Sequence, residues 1–584
     1  MSVAMQYEDL IQKTFCKNAI RSVMLIDDQF IPYPDLIDSL SNSREIDADK
    51  ILTSQRAALL EKFFQKEKIL CDIDSSTENL DVERIRKSDL LIIDYHLEHN
   101  DPSKTLEVLC GLKNSKHFNL AVVYTSEEPK TVWKQIASSF KPVKNIIDEI
   151  NKINNLDDFW EEEILPSIQS GTEYTLTESE LIDYILSEKN SGRIKGILSK
   201  NIHFKEKKEE IVNIICDYFL NENQLYKCSE NIKTNIEGDE AGKTWIKSGN
   251  VFVCIYPKSS ENFEHDPANI WKTLRDSLVN WKPSYYQLIQ SEIQNHIESD
   301  SMAFNSVHDN DKHGQAAWLQ EILKSNSPAE YTQLIRSINS DISEELSVKF
   351  NKNEELRTFI ESTFQYYKED FMVKPSTDPV RFCADILGLP FDINKTPRDM
   401  YHALNMHLSS KNYQNEYIST GTIFKTVISP YNTTDTPDTW YLCVSAACDM
   451  IPNQANDPYN ERLMPNHRFI RVLKLFPTNQ DIAIKNATHS KYIYVYDNDE
   501  RKYFSILNDS SNLPSIDYMT IKDHVTQLNR FYVPLTRLKN HDGHIEMEDI
   551  LVKLKSQLRV GYAERYQSIA SQHSARIGVD YKNM

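Results

Sequence analysis

The chain has 584 residues, too many for one hydrophobic core, so we expect about three or four domains. Its formal net charge of −20 disfavours non-specific binding to nucleic acid or to an anionic membrane surface. No apolar run approaches the roughly 18 residues of a membrane span, and the first residues lack the pattern of a signal peptide. The nine cysteines, an odd number without a CxxC pair, predict reduced thiols in the cytoplasm.

Short apolar runs alternate with helical patterns over residues 1–150. The predicted strands are 22–26, 69–74, 89–97 and 119–126, and the predicted helices are 51–68, 79–88, 103–116 and 128–140. The strands are apolar throughout, as expected for strands that are buried on both faces of a sheet. This alternation predicts an α/β domain with a parallel sheet and helices on both of its faces.

Polar side chains follow three of these strands. Asp27 and Asp28 follow the first strand, Asp94 lies in the third after LII, and Thr125 lies near the end of the fourth. Because functional groups gather at the carboxyl ends of parallel strands, we expect a cluster of three carboxylates, which suits Mg²⁺ and would relieve the repulsion between the adjacent Asp27 and Asp28. Asp94 could then attack a phosphoryl donor, and Thr125 could hydrogen-bond the new phosphoryl group. For any single aspartate, capping of a helix or of loop amides is the alternative.

The motifs LIDD, LIID and VVYTS, in this order, resemble the receiver domain of two-component response regulators. The resemblance covers roughly residues 15–150 and implies a flavodoxin-like parallel sheet of the receiver type. It also implies that Asp27, Asp28 and Asp94 bind Mg²⁺, that Asp94 accepts a phosphoryl group from a histidine kinase, and that Thr125 changes rotamer on phosphorylation. A departure from the family is the insertion at 31–49. A receiver that no longer accepts phosphate, or another α/β domain, remains an alternative.

The family also has a lysine after its fifth strand. Lys141, which a proline follows, is the candidate here, although it comes early and leaves little room for a helix and a fifth strand after Thr125. Either the sheet is abbreviated, or Lys144 or another lysine takes this place.

The strand and helix alternation stops after about residue 168. We predict a helical connector at 151–235, with a capping signature in which Thr177 and Ser179 neighbour Glu178 and Glu180. We predict a mainly helical middle domain at 236–415 with a β-hairpin within 237–258. The GKT at 242–244 lacks the spacing of a phosphate-binding loop, and a strand follows it instead of a helix.

A β-rich barrel or sandwich domain is predicted at 416–540, followed by a C-terminal helix at 541–584. Cys448, Asp449 and His467 are candidates for a thiol nucleophile with its base, and packing of Cys443 and Cys448 in a core is the alternative.

These observations favour a cytoplasmic response regulator whose large output region does not bind DNA, because no DNA-reading module is recognisable. Its expected partners are a histidine kinase and, as a homo-oligomer, further copies of the chain, but neither nucleic acid nor a membrane. Large atypical receivers of this kind resemble regulators of bacterial anti-phage two-component systems. The alternatives are a receiver-gated hydrolase or toxin in residues 200–584, and an inert receiver that serves as a binding platform.

Overall fold

The structure is a computed structural model, and it describes the chain in a series of segments. These are residues 6–42, 48–75, 82–97, 101–115, 117–228, 235–259, 263–299, 311–324, 328–374, 378–414, 417–427, 439–451, 461–463, 467–497, 500–522 and 531–575. Contacts divide the chain into two compact units. The first comprises Met1–Ala303 with Phe350–Glu369, and the second comprises Phe304–Lys349 with Asp370–Met584.

A seven-stranded sheet forms the centre of the first unit, in the order β2-β1-β3-β4-β7-β6-β5. The strands are β1 (Ser22–Ile26), β2 (Leu70–Asp74), β3 (Leu90–Asp94), β4 (Asn119–Thr125), β5 (Ile236–Asp239), β6 (Trp245–Ser248) and β7 (Val251–Pro257). Strands β1 to β4 and β7 pair in parallel, whereas β5 and β6 form an antiparallel hairpin at one edge. The predicted α/β parallel sheet and the predicted hairpin are therefore confirmed.

Helices cover both faces of this sheet. They are α1 (Tyr7–Gln12), α2 (Tyr33–Ser41), α3 (Ala48–Lys66), α4 (Val82–Ile85), α5 (Ser103–Lys113), α6 (Pro129–Ser139), α7 (Ile146–Ile150), α8 (Leu156–Phe159), α9 (Leu165–Ser170), α10 (Glu178–Ser187), α11 (Gly192–Leu198), α12 (Lys208–Glu222), α13 (Asp266–Trp281) and α14 (Tyr285–Ser299). Two π-helical segments, Lys13–Asn18 and Trp160–Ile164, continue α1 and α8. One core cluster unites α5 and α6 with the helices up to α12, and a second unites α1, α3 and α13 on the other face.

The sheet is not abbreviated, although the strand and helix alternation was expected to end near residue 168. The fifth parallel strand is β7, which pairs with β4 from Asn119 to Thr125, after α7 to α12 have been inserted between them. Its residues Val251 to Ile255 are almost fully buried, as in a strand covered on both faces. Helix α10 in the insertion begins with the predicted capping box, in which the side chains of Thr177 and Glu180 each bond the other residue's backbone N–H.

The second unit contains a closed six-stranded barrel. Strands β9, β16, β15, β14, β11 and β10 pair in this order, and β10 pairs with β9 to close the ring. The strands of this unit are β8 (Ser410–Asn412), β9 (Thr422–Thr426), β10 (Trp440–Cys443), β11 (His467–Pro477), β12 (Tyr492–Asp497), β13 (Glu500–Ser505), β14 (Ile516–Lys522), β15 (Tyr532–His541) and β16 (His544–Leu558). Of the two predicted architectures, barrel and sandwich, the structure has the barrel.

The predicted helical middle region is confirmed. It continues beyond α14 with α15 (Lys312–Lys324), α16 (Pro328–Lys352), α17 (Glu354–Val373), α18 (Pro379–Ile386) and α19 (Thr396–Ser409), and a short α20 (Gln480–Lys485) follows β11. The C-terminal helix is shorter than expected, because α21 spans Val560–Ser574 and residues 544–558 form β16. Burial alternates from Ile550 to Ser556, which is the period of a strand.

Two cysteines differ from the expectation of reduced thiols. Cys110 on α5 and Cys228 after α12 form a disulfide, while seven other cysteines are free. The disulfide joins the inserted helices to a helix that packs directly on the sheet. The prediction that all nine cysteines are reduced is therefore wrong for this pair.

Candidate functional site

The carboxyl ends of four neighbouring parallel strands place the candidate residues at one edge of the sheet. Asp27 follows β1, Asp94 ends β3, and Thr125 ends β4. Strand register brings Ile26 beside Ile93 and Thr125 beside Pro257, so the residues that follow β1 and β7 face the same edge. The sequence folds in this way because short strands of branched apolar residues are buried on both faces, which leaves polar side chains to the strand ends.

Three carboxylates meet at this edge. One oxygen each of Asp27, Asp28 and Asp94 lies within 4.8 Å of the other two, as the predicted cluster requires. Asp27 is buried and accepts a hydrogen bond of 2.9 Å from the backbone N–H of Gln29, while the Gln29 side chain donates to Asp28 at 3.1 Å. The site therefore holds acidic groups in a place of low solvent exposure.

The lysine that follows β7 lies between two of these carboxylates. Lys258 Nζ is 3.0 Å from Asp27 Oδ2 and 3.0 Å from Asp94 Oδ1. Its side chain is only 15% exposed, and its ammonium lies 5.3 Å from the centre of the Tyr124 ring. Lys258 is thus the residue that immediately follows the fifth parallel strand.

The electrostatics of the cluster are dominated by burial and by neighbouring charges. Burial raises the pKa of Asp94 to about 6, the charge of Asp27 acts in the same direction, and Lys258 opposes both. Burial lowers the pKa of Lys258, but Asp27 and Asp94 outweigh that effect and hold it above its ordinary value. At neutral pH Asp94 is therefore mostly an ionised carboxylate beside a permanent ammonium.

The donor set fits a hard divalent cation. Three carboxylates face one ammonium, so the cluster retains a surplus of negative charge. Mg²⁺ prefers carboxylate oxygens together with water and phosphate oxygens, in octahedral geometry. Asp27, Asp28 and Asp94 are the residues that would hold it.

Thr125, the last residue of β4, lies at the same edge of the sheet as the carboxylates. It is fully buried, and its Oγ1 accepts a hydrogen bond of 3.0 Å from the backbone N–H of Glu127. Its carbonyl accepts a hydrogen bond of 2.6 Å from the backbone N–H of Lys258, which ties the ends of β4 and β7 together. Because a hydroxyl both donates and accepts, the Thr125 proton is still available to an oxygen on its other side.

The loop after Lys258 is anchored by ionic and phenolic groups. Arg56 on α3 donates to the carbonyl of Ser259 at 2.8 Å and to the hydroxyl of Tyr124 at 3.1 Å. Asp266, at the start of α13, accepts hydrogen bonds from Tyr124 and from the backbone N–H of Ser259. These contacts fix the backbone that carries Lys258.

The lysines predicted from sequence lie elsewhere. Lys141 Nζ is 3.6 Å from Glu188 at the end of α10, and Lys144 Nζ is 2.8 Å from Asp217 on α12. Both lysines precede the inserted helices, so neither follows the fifth parallel strand. The sequence signal for the fifth parallel strand is VFVCIYPK, an apolar run that ends in Pro257 and Lys258. The hairpin predicted within 237–258 contains this run, but a hairpin alone does not point to Lys258 as the lysine of the site.

The structure brings two of the three candidates in the β-rich region into contact. Cys448 is exposed, and its thiol donates to Asp449 at 3.5 Å. Within the described part of the chain, no hydrogen bond joins His467, the first residue of β11, to either side chain. Cys443, by contrast, is buried in the barrel, and burial raises the pKa of its thiol to about 11.

A family model of the response receiver domain matches residues 19–173. Residues 19–173 are a receiver domain. The match covers about a quarter of the 584 residues and includes Asp27, Asp28, Asp94 and Thr125. Comparisons with curated proteins and with solved structures gave no significant match.

The receiver domain in this structure extends beyond the matched residues. Strand β7 and Lys258 lie outside 19–173, yet they complete the sheet and the acidic cluster. A receiver domain is the phosphoacceptor module of response regulators, and its phosphoryl donor is a partner such as a kinase. No helix in the described ranges has the length and apolar character needed to cross a membrane.

Proposed function

We propose that the receiver domain accepts a phosphoryl group on Asp94, and that phosphorylation changes the contacts of the remaining three quarters of the chain. The observation that carries this proposal is the position of Lys258, 3.0 Å from both Asp27 and Asp94. A working phosphoacceptor needs a cation beside the nucleophilic carboxylate, because the phosphoryl group brings further negative charge. Lys258 supplies this cation, and it follows β7, a strand that lies beyond the matched residues 19–173.

In the proposed reaction, an Asp94 oxygen attacks the phosphorus of a phosphohistidine or an acyl phosphate. The new O–P bond replaces the N–P bond to the donor histidine, or the O–P bond to the acyl group, and the imidazole or the carboxylate leaves. Lys258 would pair with a phosphoryl oxygen, and Thr125 would donate its hydroxyl proton to another. Mg²⁺, held by Asp27, Asp28 and Asp94, would neutralise charge on the transferred group.

The family match supports a phosphodonor partner, for which a histidine kinase is the proposed class. From the resemblance to regulators of bacterial anti-phage systems, we further propose that the protein acts in a cytoplasmic defence pathway. Its support is the receiver domain joined to a large region that contains a helical segment and a barrel.

The test is incubation of the purified chain with acetyl phosphate, with and without Mg²⁺, followed by intact mass measurement. We expect one Mg²⁺-dependent phosphoryl adduct that is absent in Asp94→Asn. Asp183→Asn is the matched control, because Asp183 is an exposed carboxylate on α10 that pairs with Lys189 and should leave the adduct unchanged.

Absence of an adduct on a folded protein would contradict the proposal and favour an inert receiver that serves as a binding platform. An adduct that persists in Asp94→Asn would place the phosphoryl group on another residue. Native mass measured on the same samples would show whether phosphorylation changes the oligomeric state.

A further inference from the structure

The Cys110–Cys228 disulfide joins two parts of the chain that both lead to the acidic cluster. Cys110 lies on α5, the helix that follows the strand of Asp94, and Cys228 lies beyond the end of α12. From Cys228 the chain continues to β5, and then through β6 and β7 to Lys258. One cross-link therefore restrains the helix next to Asp94 and the segment that leads to Lys258.

Helix α5 is bonded directly to the strand that ends in Asp94. Thr105, in the first turn of α5, is fully buried, and its Oγ1 donates a hydrogen bond of 2.7 Å to the backbone carbonyl of Asp94. Cys110 lies five residues further along the same helix, a rise of about 7.5 Å. A covalent tether on Cys110 therefore restrains the helix that holds the backbone of Asp94.

The inserted helices have other attachments besides the disulfide. Asp217 on α12 is buried, and it bonds Lys144 at 2.8 Å and the hydroxyl of Tyr184 at 2.6 Å. Just beyond α12, the side chain of Gln224 donates a hydrogen bond of 2.8 Å to the carbonyl of Ser138. Opening of the disulfide would therefore release the segment after Gln224 while α12 stays packed.

The two bonded sulfurs differ in their access to solvent. Cys110 is 5% exposed, whereas Cys228 is half-buried, so an attacking thiolate reaches Cys228 more easily. The pKa of five of the free thiols is raised by burial, which keeps them protonated and unreactive: Cys16, Cys71, Cys216, Cys254 and Cys443. Within the first unit, Cys228 is thus the sulfur best placed for exchange with a small thiol.

We propose that Cys110–Cys228 is a reversible thiol–disulfide switch that controls the phosphoacceptor site. The oxidised state restrains α5 and the segment before β5, and the reduced state releases both. In the proposed cytoplasmic setting, thiols are kept reduced, and the disulfides that do form are usually transient, catalytic or redox-sensing. The control of phosphorylation rests on the proposed function of Asp94, whereas the reversible opening of the disulfide does not.

Glutathione is the reductant. Its thiolate attacks Sγ of Cys228 and forms a mixed disulfide, while the bond between the two protein sulfurs breaks and Cys110 leaves as a thiolate that takes up a proton. A second glutathione thiolate attacks the glutathione sulfur of the mixed disulfide, and the thiolate of Cys228 leaves and takes up a proton. Two glutathione thiols are oxidised to glutathione disulfide, and the reverse steps restore the protein disulfide.

The first test measures the opening of the disulfide in the full-length oxidised protein. The protein is equilibrated in glutathione buffers, free thiols are alkylated, and the modified cysteines are identified by peptide mass. We expect more than half of the disulfide to be reduced at the glutathione poise of the cytoplasm, which a purely structural disulfide resists. Glutathione disulfide should modify Cys228 in Cys110→Ser at least about tenfold faster than Cys110 in Cys228→Ser, because only Cys228 is accessible.

The second test compares the oxidised and reduced protein of unchanged sequence, so no variant has to fold. We expect the backbone amides of α5 and β5 to exchange hydrogen faster after reduction. Phosphorylation of Asp94 by acetyl phosphate with Mg²⁺ should become at least about fivefold slower, because Asp94 and Lys258 are held less firmly. Cys383→Ser, which removes an exposed free thiol, is the matched control and should respond to reduction as the parent protein does.

The switch is overturned if the disulfide persists at the cytoplasmic poise, or if hydrogen exchange of α5 and β5 is the same in both states. Control of the phosphoacceptor site is overturned if both states are phosphorylated at equal rates. If neither state accepts a phosphoryl group, the proposed function of Asp94 fails, and the glutathione and hydrogen-exchange measurements then decide whether the disulfide is a switch.

Discussion

The ammonium group of Lys258 forms ion pairs with two carboxylates of low exposure, those of Asp27 and Asp94. Removing one partner from such a cluster leaves buried charge without compensation, which costs far more than the loss of an exposed ion pair. Lys258 and Lys141 differ in this respect. Lys258 contacts Asp27, which is buried, whereas Lys141 contacts Glu188, whose side chain is 75% exposed.

We therefore expect Lys258→Met to lower the free energy of unfolding by about 3 kcal/mol, and Lys141→Met by less than about 1 kcal/mol. Millimolar Mg²⁺ should recover part of the loss in Lys258→Met, since a divalent cation would neutralise the same carboxylates. Urea unfolding of both variants, with and without Mg²⁺, measures this difference. Equal losses in the two variants would show that Lys258 has no special role.

Local motifs were enough to predict Asp27, Asp28, Asp94 and Thr125, because each lies within a few residues of the strand that positions it. The structure brings the three carboxylates together as expected. Lys258 could not be predicted in the same way. Its place depends on β7 pairing with β4 after an insertion of six helices, and sequence distance gives no information about that pairing.

At the scale of elements, Asp497 joins three strands of the second unit. It ends β12 and pairs with Lys425 on β9 at 2.7 Å and with Lys555 on β16, and all three side chains are at most 10% exposed. Burial alone would raise the pKa of Asp497, but hydrogen bonds from the two lysines outweigh it and hold the pKa below its ordinary value.

Asp497→Asn should lower the free energy of unfolding by about 3 kcal/mol at pH 7, because two buried ammonium groups lose their counter-charge. Because the folded pKa is depressed, this contribution is fully present above the unfolded value of about 3.9 and declines progressively as the pH falls from there through the lower folded pKa. Urea unfolding at pH 7 and pH 3 tests both statements. Glu500→Gln, which removes only an exposed pair with Lys502, is the control and should change stability by less than about 1 kcal/mol.

The Cys110–Cys228 disulfide joins the inserted helices to α5 across 118 residues of sequence. A cross-link of this span should stabilise the folded state by about 2–4 kcal/mol, since it restricts the unfolded chain. We expect Cys228→Ser to lower the unfolding midpoint of the oxidised protein, and a thiol reductant to abolish the difference from the parent chain. Cys383→Ser, at an exposed free thiol, should have no such effect.

The β16 segment shows why some elements were assigned wrongly from sequence. Residues 544–549 are mostly exposed in the structure, so the alternation that marks a strand begins only near Ile550. A polar start followed by spaced apolar residues fits a helix as well as a strand. The ten-residue pairing with β15, including Val533 beside Val552, decides between them. The two strands are joined by a tight turn at Asp542 and Gly543, both with positive φ, and this Asp-Gly pair is the hairpin signal in the sequence that the helix assignment overlooked.

At the scale of the whole molecule, the chain passes between its two units more than once. Phe350–Glu369 returns to the first unit after Phe304–Lys349 has contributed to the second. The returning segment is anchored by Phe359, which is buried in the core cluster of α1 and α13, and by Tyr367, whose hydroxyl donates to that of Tyr7 at 3.0 Å.

A protease site inserted after residue 305 should consequently yield two fragments that remain together. We expect them to co-elute in gel filtration after cleavage and to separate only in denaturant, because α17 of the later fragment packs in the core of the earlier one. Phe359→Ala, which creates a cavity in that core, should promote their separation. Immediate separation of the parent fragments would contradict this division of the chain.

The late position of β7 also has a consequence for synthesis. Asp94 and Thr125 leave the ribosome long before Lys258, which lies 133 positions after Thr125. At about 5–20 residues per second, translation of that interval takes roughly 7–27 seconds. Throughout it, β4 is an apolar edge strand without its β7 partner, the kind of edge that pairs with other chains. The nascent chain therefore has an edge open to pairing with other chains until β7 is made, and the lysine of the acidic cluster joins it only after translation has passed β7.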